Sequence, residues 1–130
     1  MYFIATNPAR NLVRTTFSGF PTVEEVAEHG RLEQETVRQM GLRSFEYYAL
    51  IDARPCSTLS QEVATALHDA FHRAAIKPRR VAVVRTKLQG QQMQARRIAD
   101  DSDRVAVFSD FGEAEAWLFE TEKGARITRK

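Results

Sequence analysis

Phe45-Glu46-Tyr47-Tyr48-Ala49-Leu50-Ile51, closed by Asp52, is a mostly apolar run without alternation. Val81-Ala82-Val83-Val84 and Val105-Ala106-Val107-Phe108 repeat that character in shorter form. Runs of this kind suit parallel strands covered on both faces, because neither set of alternate side chains is left to water. Between the first two, Val63, Ala66, Leu67, Ala70, Phe71, Ala74 and Ala75 trace one apolar stripe at helical spacing. Thr58 with Gln61 reads as the capping box of that helix and Pro78 as its stop. Strand, helix and strand in succession predict a right-handed crossover, with the runs side by side and pointing the same way.

Toward the N-terminus, Tyr2-Phe3-Ile4 and Leu12-Val13-Arg14-Thr15-Thr16-Phe17 read as strands. Asn7-Pro8-Ala9-Arg10-Asn11 between them carries turn residues, so the pair forms an antiparallel hairpin. Thr22 and Glu25 form a second capping box, and Val23, Val26, Ala27, Val37 and Met40 keep helical spacing as far as Gly41. Gly30 inside that helix is expected to mark a kink or a close approach to the sheet. Leu88 to Ala99 reads as a weaker helix. Asp110 and Glu113 open a last one, with Phe111, Ala114, Trp117 and Leu118 packing inward. The fold class is therefore α/β: an opening antiparallel hairpin, then a mainly parallel sheet with about four helices. Residues 1–120 read as a single domain and 121–130 as a frayed basic tail.

Apolar residues make up 43% of the 130 and charged residues 28%, a composition able to bury one core. The net charge of +2 is too balanced for an electrostatic clamp on nucleic acid. Arg96 and Arg97 are followed by Asp100, Asp101 and Asp103, and no exposed aromatics interleave the basic residues, so no nucleic-acid partner is expected. One cysteine fits a reducing compartment, and no apolar run reaches the roughly eighteen residues of a membrane span. The opening residues lack the pattern of an export signal, so the expected location is the cytoplasm. No Walker loop, dinucleotide fingerprint or Gly-x-Ser-x-Gly elbow occurs, and no cofactor is expected.

In sheets of this class ligands gather where the parallel strands end and helix N-termini converge. Asp52-Ala53-Arg54-Pro55-Cys56-Ser57-Thr58, Arg85-Thr86-Lys87 and Ser109-Asp110 leave the strands there. Asp52, Arg54, Ser57, Thr58, Ser60, Arg85 and Ser109 are the candidate surface for a partner or an anion. A plainer use competes with it: Thr58 and Asp110 already cap helices, and Arg54 can simply pair with Asp52. Cys56 lies ahead of a helix N-terminus and near Arg54, both of which favour thiolate. A phosphatase-type loop, however, would need Arg where Glu62 stands, and a buried inert thiol is the preferred reading. His29, His68 and His72 raise the question of metal. His68 and His72 share a helix face, but no Glu follows His68 as in metalloproteases, so surface histidines are expected and no metal.

Five stretches together resemble a known group. Phe17-Ser18-Gly19 with Thr22-Val23-Glu24-Glu25, Ala49 to Arg54, Arg80 to Val84, Val105 to Phe108, and Glu113-Ala114 with Trp117-Leu118 look like the SpoIIAA-like branch of STAS domains, also labelled STAS/SEC14-like. The resemblance covers roughly residues 1 to 120 and implies a small (βα) superhelical domain, usually bacterial and non-catalytic. Anti-sigma factor antagonists of that family are switched by phosphorylation in an Asp-Ser-[Ser/Thr]-Gly motif at a helix N-terminus. The matching region here reads Thr58-Leu59-Ser60-Gln61-Glu62, without the Asp-Ser pair or the Gly, so the switch does not carry over. The SEC14-like label implies a lipid-sized pocket. Rhodanese-like domains share an Asp-x-Arg strand end but place their cysteine after a later strand, which here continues as Arg85-Thr86-Lys87-Leu88. The expected function is a regulatory or binding domain without catalysis, its partner a protein or a second copy of this chain. A small ligand, anionic or lipid-like, is the alternative, and a Cys56-dependent enzyme a third reading.

Overall fold

The computed structural model describes residues 1–89 and 104–120. A hairpin opens the chain, with β1 (Tyr2–Asn7) antiparallel to β2 (Leu12–Phe17). Its loop is a short 3-10 turn, Pro8–Arg10, and Asn11 takes the left-handed conformation that returns the chain. Helix α1 (Val23–Gln39) follows, then β3 (Tyr48–Asp52), α2 (Gln61–Arg73), β4 (Arg80–Val84), β5 (Val105–Phe108) and α3 (Phe111–Leu118). The sheet order is β1-β2-β3-β4-β5, and every neighbour pair after the hairpin is parallel. A further helical turn begins at Lys87–Gln89. The rest of the helix expected over Leu88 to Ala99, the charges from Arg96 to Asp103, and the tail 121–130 lie outside the described residues.

Alternation along the strands divides two cores. Val13, Phe17, Ala49, Ile51, Val81, Val83 and Val105 face α1 and α2. Leu12, Tyr48, Leu50, Ala82 and Val84 face α3, meeting Ala114, Leu118 and Phe119. Each fully buried Leu, Ile or Val contributes about 1.5–3 kcal/mol of apolar burial, which is why charged positions in β3 and β4 fall only at the strand ends, Asp52 and Arg80.

Local chemistry sets the element ends, and several features differ from expectation. The β3 strand starts at Tyr48 rather than Phe45, because Phe45 is left-handed at φ 68° and the Arg43 N–H donates to the Glu46 carboxylate at 2.8 Å, closing a turn. The cap of α2 is Ser60, whose Oγ accepts from the Val63 N–H at 3.2 Å; Thr58 lies two residues too early and is exposed. That helix stops at Arg73, so Ala74 and Ala75 fall beyond it. Gly30 lies opposite α2, where a Cβ would meet Ala70 Cβ at 4.0 Å, and not against the sheet. The Thr22–Glu25 box forms in full, whereas at Asp110 only its first half does, the carboxylate accepting from the Glu113 N–H at 2.9 Å.

Candidate functional site

The parallel register brings the ends of β2, β3, β4 and β5 to one rim, since Thr16 pairs Asp52, Asp52 pairs Val84, and Val84 pairs Phe108. The segments leaving the strands therefore share this rim, as the apolar runs predict. Residues Ala53 to Ser57 form its centre, and they are pinned from two sides. Gly19, left-handed at φ 72°, bridges Cys56 from the loop after β2: its carbonyl accepts from the Ser57 N–H at 2.7 Å and its N–H donates to the Pro55 carbonyl at 3.4 Å. From the β4 side, buried Gln89 donates through Nε2 to the carbonyls of Ala53 at 2.9 Å and Cys56 at 3.0 Å. Gln89 is itself fixed by a reciprocal box with Thr86, at 2.8 and 3.0 Å. Each of these bonds satisfies a backbone group that the loop could not otherwise bury.

Asp52 and Arg54 come together tightly. The Asp52 carboxylate, 3% exposed, accepts from Arg54 Nε at 2.9 Å, Arg54 Nη2 at 2.8 Å and the Arg54 N–H at 3.1 Å. Arg14 stands 3.8 Å away on the same sheet face. Burial alone would push the Asp52 carboxyl up, but the Arg54 hydrogen bonds and the two guanidinium charges outweigh it and hold Asp52 below its ordinary value. Both guanidinium groups also lie over the Phe111 ring, at 4.6 and 5.5 Å from its centroid. Asp52 is thus consumed within the fold, while Arg54 keeps two-fifths of its side chain in solvent (41%).

The remaining candidates share the rim without touching that pair. Ser57, Thr58, Ser60 and Ser109 are exposed, and no side-chain hydrogen bond among the described residues links them to Asp52 or Arg54. Ser60 is occupied as the α2 cap. Arg85 donates from Nη1 to the Thr86 carbonyl at 3.3 Å, while its Nε is buried with no acceptor among the described residues. Cys56 is buried, and burial, reinforced by Asp52 and Glu25, pushes its thiol up to about 11. The preferred reading of a buried, inert thiol agrees with this: desolvation outweighs the pull of Arg54 and the helix end, and the sulfur is a neutral thiol at neutral pH.

Two rim residues escaped the sequence reading. Phe20, beside Gly19, is 69% exposed, and Leu88, beside Gln89, is 62% exposed. They flank the pinned loop from its two sides. Each directly neighbours a residue that the loop holds in place, so these apolar groups are presented on a fixed backbone.

A second polar assembly lies on the other face of the sheet, beneath α1. His29 and Glu33 are buried, at 2% and 3% exposed. His29 Nε2 is 2.8 Å from Thr15 Oγ1 and 3.4 Å from Glu33 Oε1, and Tyr47 OH donates to Glu33 Oε2 at 3.3 Å. Burial, with Glu33 beside it, drives the Tyr47 phenol far above its ordinary range. The signal existed in the sequence: His29 and Glu33 continue the stripe of Val26 and Val37. On α2, the His68 and His72 rings stack at 4.1 Å between centroids, and no group of three potential metal-ligating side chains occurs among the described residues.

A crystal structure of an uncharacterised DUF3478-family protein from Shewanella loihica PV-4, described with a SpoIIAA-like fold, is similar to this chain at TM-score 0.62 and 22% identity, the match covering 91% of this chain and 92% of that one. The chain has a SpoIIAA-like fold. No protein-family model matches the sequence, and no curated protein matches it either. The SpoIIAA-like arrangement accounts for the opening hairpin, the parallel sheet and the converging strand ends. No described helix is long and apolar enough to cross a membrane.

Proposed function

We propose that this SpoIIAA-like domain acts by binding another protein through the rim at its strand ends. One observation carries the reading: Phe20 and Leu88 stand exposed on either side of a loop fixed by hydrogen bonds from both neighbouring segments. Rigid apolar groups lose little entropy on docking, which favours a contact surface over a disordered flank. The polar complement is cationic. Arg54 is half-exposed, Lys87 is exposed, and the Arg85 Nε donor lacks an acceptor among the described residues. A partner surface with apolar side chains bordered by carboxylates fits this arrangement.

Catalysis has less support, because the one cysteine is a buried neutral thiol. Cytoplasmic residence and a bacterial source remain part of this proposal and agree with a binding role. The test is affinity capture from a bacterial lysate, read by quantitative mass spectrometry, with the wild type against Phe20→Asp/Leu88→Asp. A partner retained by the wild type and lost from the double variant supports the rim. Identical partner profiles would remove it.

A further inference from the structure

We infer that the groove between α1 and α2 is a separate binding site for a small, flat organic molecule carrying a hydrogen-bond donor at one end and an anionic group at the other. The groove encloses about 510 Å³, within the usual range of small-molecule sites. Small residues open it: Ala27 and Gly30 on α1 face Ala70 and Ala74 across the gap, with Leu67 and Phe71 at its apolar base. Gln34 bonds both the N–H and the carbonyl of Ile76, each at 2.9 Å, and so fixes one of its walls.

Glu33 gives the groove a chemical demand. It lines the space, and its Oε1 is buried without a hydrogen-bond donor among the described residues. His29 does not meet that need. Its Nε2 carries at most one hydrogen and sits at 2.8 Å from Thr15 Oγ1, against 3.4 Å from Glu33. Leaving a carboxylate oxygen unmatched in an apolar setting is costly, and an O–H or N–H from a ligand would satisfy it. At the mouth, Arg31 and Arg73 are exposed and no carboxylate among the described residues pairs with either, while the one acid there, Glu35, is paired with Arg38 at 3.1 Å. An acceptor at the floor and cations at the mouth select a molecule with a donor inside and an anion outside.

The probe pair that reads this is 6-hydroxy-2-naphthoate and 2-naphthoate, which differ only by the donor, titrated calorimetrically into the full chain. The hydroxylated acid is expected to bind saturably and at least about tenfold tighter, the scale of one charge-assisted hydrogen bond. Glu33→Gln is expected to erase most of that ratio, and Arg31→Ala/Arg73→Ala to weaken both acids alike. Ala70→Trp, which fills the groove from a half-buried wall opposite Gly30, is expected to abolish binding while its circular dichroism stays that of the wild type, and keeps the test valid if Glu33→Gln fails to fold. Absence of saturable binding, equal affinity for the two acids, or binding unchanged in Ala70→Trp would each overturn the inference. Neither Phe20 nor Leu88 takes part, so the rim variants separate this site from the proposed protein contact.

Discussion

The rim at the strand ends and the polar cluster under α1 use their hydrogen bonds to opposite ends. At the rim, Gln89 and Gly19 spend their hydrogen bonds on backbone groups of one loop, leaving Phe20, Leu88 and Arg54 turned to solvent. Under α1, Thr15, His29, Glu33 and Tyr47 bond to one another and are buried, His29 and Glu33 also lining the α1–α2 groove. A fixed backbone with free side chains presents a surface. A closed set of side chains on a fixed backbone holds the core to one register, at the cost of a group left short of a partner.

The largest expected effect breaks the sealed cluster. Tyr47→Phe removes the donor to Glu33 and to the Ile76 carbonyl, and is expected to cost about 2 kcal/mol in urea unfolding. A loss below a few tenths of a kcal/mol would mean the cluster is not coupled to stability. At the rim, Arg54→Ala is expected to cost about 1–2 kcal/mol, discounted from a fully buried pair because Arg54 is half in water and Arg14 remains. Its pH dependence sharpens the point. With Asp52 held below its ordinary value, its contribution is complete above that value and is lost as pH falls through the depressed one. In Arg54→Ala the acid-side loss should shrink and be complete at a higher pH, its onset still set by the unfolded-state value; an unchanged acid limb would show that Arg54 does not set the Asp52 titration.

Cys56 distinguishes the rim's solvent-facing side chains from its interior. Thiol labelling should stay slow at pH 8.5, where a free thiol is about half ionised, and should rise only toward pH 11. Rapid labelling near pH 7 would show an open loop. The smallest effect concerns the helix pair. Gly30→Ala meets only Ala70 Cβ at an ordinary contact distance, so it should stabilise by up to about 1 kcal/mol through helix propensity. Destabilisation would mean that α1 and α2 approach more closely than this.

How much of this was legible depends on the kind of signal. Unbroken apolar runs at Ala49–Ile51 and Val81–Val84 define buried parallel strands, and that one geometrical fact assembles the rim. Asp52 and Arg54 were visible because their spacing is local. The Gly19–Cys56 bridge and the Gln89 bonds to Ala53 and Cys56 are long-range, and no local pattern announces them. Thr58 was mistaken for the α2 cap because two hydroxyl residues lie within reach and only the chain's path selects Ser60. Cys56 was legible as a buried, inert thiol from the tendency of free cysteine to be buried, although its neighbouring charges pointed the other way. His29 and Glu33 were hidden by their polarity, although their positions on the α1 stripe placed them in the core.

A photo-crosslinking side chain at Phe20, compared with the same group at Leu32, interrogates the rim directly. Leu32 is also exposed but lies twelve residues further on, about 14 Å along α1 from its first residue, Val23. Irradiation in lysate should give one dominant covalent protein adduct from position 20 and none from position 32. Equal adducts from both positions, or none from position 20, would contradict a contact surface at the strand ends.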